Sequence, residues 1–76
     1  MNFEQFLMTE YQLGESSAKD YVGQLDGILK KGIYNGENIM TPSIEAAIEE
    51  EYPNSKKHYK LILNRYFAFR DMIMNG

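Results

Sequence analysis

Residues Asn54 to Met74 read NSKKHYKLILNRYFAFRDMIM. Pro53 closes the segment before them, and Asn54 or Ser55 can cap a new helix. That helix runs about 18–20 residues, near 30 Å at 1.5 Å per residue. Its main apolar stripe is Tyr59, Ile62, Leu63, Tyr66 and Ile73, with Arg70 inside it. Leu61, Ala68 and Met72 lie roughly opposite, so the helix is apolar on two sides. Such a helix is central in its fold or has a partner on its second side.

The same stretch carries the positive charge. From Asn54 to Gly76, Lys56, Lys57, Lys60, Arg65 and Arg70 stand against Asp71, a balance of +4. The first 53 residues hold three lysines and ten carboxylates, a balance of −7, and the whole chain is −3. A charge polarised in this way bears on partners more than on fold.

Working back from Asn54, three more helices are expected. Asn2 caps the first, where Phe3, Phe6, Leu7 and Tyr11 recur at helical spacing and Gly14 acts as a left-handed terminator. Ser16 or Ser17 caps the second, in which Ala18, Tyr21, Val22, Leu25, Ile28 and Leu29 follow the i, i+3, i+4, i+7 pattern. Lys30 and Lys31 suit its C-terminal dipole, and Gly32 stops it. Residues 32–41 form a loop around the turn dipeptide Asn35-Gly36. Thr41 caps the third helix with Pro42 at its first position, and Ile44, Ala47, Ile48 and Tyr52 face inward. The expected fold is all-α, a single domain of four helices at about 2–13, 17–31, 42–52 and 55–74, with the second and fourth as the long pair.

Bulk properties narrow the function. Seventy-six residues make one small domain, and ten aromatics must supply much of its buried area. With no cysteine, disulfides and thiolate metal sites are excluded, and the composition suits the cytoplasm. MNFEQFLM has no basic region followed by an apolar run, so no signal peptide is read there. The longest apolar runs are three to four residues, far short of the ~20 of a transmembrane helix, so no membrane partner is expected. No catalytic motif is present. His58 is the single histidine and is read as a helix-flank residue. Neither enzymatic activity, nor a metal, nor a cofactor is expected.

Two stretches, FEQFLMTEYQLGESSAKDYVGQLDGIL and NSKKHYKLILNRYFAFRDMI, together resemble the helical core-binding domain at the N-terminus of phage integrases and other tyrosine recombinases. Leu13, Ser16, Ser17, Tyr21 and Leu25 match the first pattern of that family, and Asn64, Tyr66, Phe67, Phe69 and Arg70 the second. The chain is also similar to helical N-terminal domains of some restriction endonucleases, through the spacing of Tyr59, Ile62, Leu63, Tyr66 and Phe69. Both resemblances imply a SAM-like bundle of four to five helices that positions double-stranded DNA without doing chemistry. The chain departs from both families in its net acidity and in having no room for a catalytic domain. It is therefore expected to be a module of a mobile-element recombinase or nuclease. The alternative is a free-standing phage or mobile-element accessory protein acting by protein–protein interaction.

At 100° per residue, Lys56, Lys57, Lys60 and Asn64 share one side of the fourth helix with Phe67 beside them, a side suited to a phosphate backbone. Ser17 and Lys19 at the start of the second helix add a candidate phosphate contact. A solvated lysine face and ordinary capping are the plain alternatives. The partner-facing candidates are Leu61, Ala68 and Met72. Glu49, Glu50 and Glu51 read as a solvated face pairing with nearby lysines, with mimicry of DNA phosphates as the sharper option. Arg70 calls for a carboxylate such as Glu4 or Asp26, or else faces a partner. Tyr34, in the loop, is open to exposure.

Overall fold

The computed structural model describes residues 1–75. Its four helices are α1 (Phe3–Glu10), α2 (Glu15–Lys30), α3 (Pro42–Glu51) and α4 (Lys56–Asn75), and no strand occurs among the described residues. The molecule measures 31 × 28 × 18 Å, and the short dimension is two helix layers thick. α4 packs against each of the other three helices, and α1 also packs on α2. The long C-terminal stretch is thus the central element.

Local chemistry sets most helix ends. Asn2 accepts from the Gln5 amide at 2.8 Å while the Gln5 side chain accepts from the Asn2 amide, a reciprocal capping box. Two expected ends move. α1 stops at Glu10, and Gln12 (φ 53°) takes the left-handed position expected of Gly14. Gly14 is instead the extended N-cap of α2, so Ser16 and Ser17 lie in the first helical turn and cap nothing. Leu13 and Ala18 then occupy the two positions of a hydrophobic staple, and Glu15 meets the helix dipole. Thr41 caps α3 as expected: its hydroxyl accepts from the Ile44 amide at 3.2 Å. Thr41→Ala is expected to cost about 1 kcal/mol in urea unfolding, and a change below a few tenths would show the cap to be dispensable.

The core is aliphatic at its centre. Leu7, Ile28, Ile44, Ile48, Ile62 and Leu63 are fully enclosed, each contributing about 1.5–3 kcal/mol by burial. An aromatic layer joins α1 to α4: Phe3 meets Tyr66 edge-on at 5.3 Å, and Phe6 meets Phe69 at 5.3 Å. Three expected inward positions differ. Val22 and Leu29 are exposed at the flank and end of α2, and Ile73 is 56 % exposed. Phe69, one turn earlier, is buried against Phe3 and Phe6.

The 32–41 loop is held from α4. Arg70 donates to the Tyr34 hydroxyl and, at 3.0 Å each, to the carbonyls of Gly36 and Glu37. Its partners are therefore a phenol and two backbone carbonyls, not a carboxylate; Asp26 pairs with Lys30 at 2.9 Å instead. Tyr34 is buried, not exposed, and packs against Tyr66 and Phe67. Burial pushes its phenol up from the ordinary value, and the Arg70 guanidinium partly offsets this. Gly36 (φ 97°) makes the turn whose carbonyl Arg70 binds.

Candidate nucleic-acid interface

α4 starts where Pro53 breaks the chain after α3. The Ser55 carbonyl accepts from the Tyr59 amide at 3.0 Å, which puts Ser55 at the capping position. The first backbone N–H groups of any helix have no intrahelical partner, and the dipole adds positive potential there. The first turns of α1, α2 and α3 each carry a glutamate, Glu4, Glu15 and Glu45, which matches that potential. The first turn of α4 has no acid and holds Lys56 and Lys57 instead. Both are exposed, and neither makes an ion pair among the described residues. Together with Pro53, Asn54, Ser55 and His58 they line an open hollow at the corner between α3 and α4.

The other lysines are engaged. Lys60 lies 2.6 Å from Glu49 and 3.7 Å from Glu45, with its side chain only 24 % exposed. Its hydrogen bond holds the Glu49 carboxyl below the ordinary range, with a smaller pull from Lys56. The same bond raises the Lys60 ammonium. Lys60 thus ties α4 to α3. Lys19 pairs with Glu15 at 2.9 Å one turn earlier on α2, an exposed contact that contributes little to stability. Lys31 reaches Glu51 at 2.7 Å and lies over the Tyr52 ring. The Glu49–Glu51 cluster does pair with lysines, through Glu49 and Glu51.

The candidate residues therefore separate. Lys56 and Lys57 stand together at the corner. Asn64 is exposed two turns further along α4. Phe67 does not reach outward beside them; it is half-buried against Tyr34 at 5.7 Å. Ser17 is exposed in the first turn of α2 and Lys19 is in its ion pair, both on a different helix from the corner. His58, at the edge of the hollow, is half-buried against α2: Nε2 lies 2.9 Å from the Gln24 Oε1, and Tyr21 meets the ring edge-on at 5.3 Å.

Two arginines show their partners only in three dimensions. Arg70 holds the loop. The Arg65 Cζ lies 4.0 Å from the centre of the Tyr11 ring and 5.5 Å from that of Tyr21, and its Nη1 donates to the Tyr21 hydroxyl at 3.2 Å. It has no carboxylate partner among the described residues. The aromatic residue ten places before Tyr21 was the available signal, but only packing brings Tyr11 and Tyr21 to the same cation.

No helix among the described residues is long and apolar enough to cross a membrane. No protein-family model, curated protein or solved structure matches the chain. The likeness to integrase and endonuclease domains thus rests on the residues quoted for it.

Proposed function

We propose that the protein is a non-catalytic DNA-positioning module that contacts the phosphate backbone at the N-terminal corner of α4. One observation carries the reading. Lys56 and Lys57 occupy a helix start where lysine is electrostatically unfavourable, and no carboxylate among the described residues lies within ion-pair distance to relieve them. A duplex phosphate supplies the missing anion, and the free N–H groups of the first turn add donors. Lys60, Lys19 and Ser17 join the contact only in a secondary role, since both lysines already have carboxylates. The resemblance to recombinase and endonuclease N-terminal domains supports the same reading.

The corner sets the expected salt dependence. Two phosphate contacts give a slope of log affinity on log salt of about −2. Four contacts, with Lys60 of α4 and Lys19 of α2 added, give about −4. Fluorescence anisotropy with a generic duplex at about 20–200 mM salt measures it. Absence of binding at the low end removes the reading, and a slope near −4 means that Lys60 and Lys19 leave their carboxylates for DNA.

A further inference from the structure

A second surface of α4 has its own chemistry. Leu61, Arg65, Ala68 and Met72 follow one another at spacings of four, three and four residues, which places them in one seam along the helix. Leu61 is 39 % exposed, Ala68 is exposed and Met72 is half-buried. Between these apolar side chains lies Arg65, stacked on Tyr11 and anchored by the Tyr21 hydroxyl. A guanidinium has five N–H donors, and that hydroxyl is the one protein acceptor Arg65 has among the described residues. No buried side-chain nitrogen there lacks a partner, so the remaining donors open to solvent. Lys57, one turn before Leu61, is a second cation without an ion pair among the described residues. The sole carboxylate on α4 is Asp71, about 100° around the helix from Met72.

We infer that this seam docks an acidic amphipathic helix of a partner protein, with Leu61, Ala68 and Met72 meeting its apolar side chains and Arg65 receiving a carboxylate between them. The occupant follows from complementarity. The seam is apolar and purely cationic on a chain whose net charge is −3. An arginine already immobilised by stacking loses little freedom on forming a two-pronged bond to a carboxylate. Ala68, a small side chain in mid-seam, lets a second helix approach to the usual 8–10 Å between axes. A second copy of this chain fits poorly, because two such seams would set cation against cation, and the exposed Val22 and Leu29 of α2 flank an Asp26 that already pairs with Lys30 at 2.9 Å. The acidic α3 offers no exposed large apolar side chain to fill the seam, and its Glu49 and Glu51 already hold Lys60 and Lys31. A nucleic acid would satisfy Arg65 but leave Leu61 and Met72 uncovered. The face is small, so the complex is weak and exchanging.

The probe is a synthetic helical peptide of about 18 residues, with leucines at i, i+3 and i+7 and glutamates flanking them. Two controls replace the glutamates by glutamine or by lysine. Titrated into the full chain and followed by amide chemical shifts, the Glu peptide is expected to move residues 61, 65, 68 and 72. Affinity is expected to fall about tenfold for the Gln peptide and for Arg65→Gln protein, the loss typical of one charge-assisted contact. Leu61→Ser gives a comparable loss. If Arg65→Gln does not fold, the peptide series and Leu61→Ser decide. The inference is overturned if shifts cluster elsewhere, if nothing moves at millimolar peptide, or if Glu and Lys peptides bind alike. It is also overturned if a DNA duplex, and not the peptide, shifts the seam. Loss of DNA binding at the α4 corner leaves it standing, since the two surfaces are read by different probes.

Discussion

Arg70→Met is expected to destabilise the domain by about 2–4 kcal/mol. The substitution keeps the apolar stem and removes the guanidinium. The buried Tyr34 hydroxyl then loses its donor, and an unsatisfied buried polar group costs about 1–3 kcal/mol. Two charge-assisted bonds to the carbonyls of Gly36 and Glu37 go as well; water replaces these in part, because the turn is at the surface. A domain of this size has about 4–11 kcal/mol in all, so the change removes a large share. Urea unfolding monitored by circular dichroism measures the loss, and hydrogen exchange locates it. Amides of the 32–41 loop should open before those of α2 and α4. Tyr34→Phe removes the hydroxyl that needs the donor, so adding Arg70→Met to it should cost less than Arg70→Met alone. Equal costs in both backgrounds would mean that the hydroxyl contact contributes nothing. A midpoint shift equivalent to less than 0.5 kcal/mol would mean that the loop holds without Arg70.

The same arginine shows where the sequence was legible and where it was not. Helical period, Pro42 after Thr41 and Pro53 after Tyr52 placed all four helices, because these signals are local. Period also gives each side chain an azimuth, but not the length of the neighbour it meets. Ile73 shares the azimuth of Ile62 within about 20°, yet lies about 17 Å further along the axis. The α1 aromatics reach Tyr66 and Phe69, and Ile73 is left exposed beyond them. Leu29 follows the same logic at the end of α2, whose partner α1 has only eight residues, whereas Val22 lies at the flank of the buried stripe of Ala18, Leu25 and Ile28. Arg70 within an apolar stripe signalled a buried partner. The nature of that partner, a turn some 35 residues away in sequence, depends on how the loop folds back.

At the candidate site, charge pairing separates residues that share an azimuth. An azimuth plot puts Lys56, Lys57 and Lys60 on one side of α4 as near equivalents. Packing α3 against α4 separates them, because Glu45 and Glu49, one turn apart, both turn toward Lys60. Lys19 was separated by a pair within its own helix, and that i, i+4 spacing to Glu15 was readable. Arg65 went the other way: an unremarkable cation in the sequence, it lies over Tyr11, just past the end of α1, and near Tyr21 of α2, with no carboxylate partner among the described residues.

Reversing both corner lysines, Lys56→Glu with Lys57→Glu, is expected to weaken duplex binding roughly 100-fold at about 50 mM salt. By the counterion rule each phosphate contact at that salt is worth about an order of magnitude, and two are lost. The new carboxylates add repulsion on top. Stability should move in the opposite direction. A glutamate at a helix start interacts favourably with the dipole, whereas lysine does not, so the melting temperature should rise by a few degrees. The gain comes mainly from position 57, because a carboxylate at 56 approaches Glu49, whose acidity already responds to Lys56. The opposed signs give the experiment its force. If the lysines are merely part of a solvated face, the double variant is more stable and binds as before. If the reversal costs stability instead, the unfavourable placement on which the DNA reading rests does not exist. Binding lost together with stability gained would mean that the corner holds its two lysines at the expense of the fold, as a phosphate contact requires.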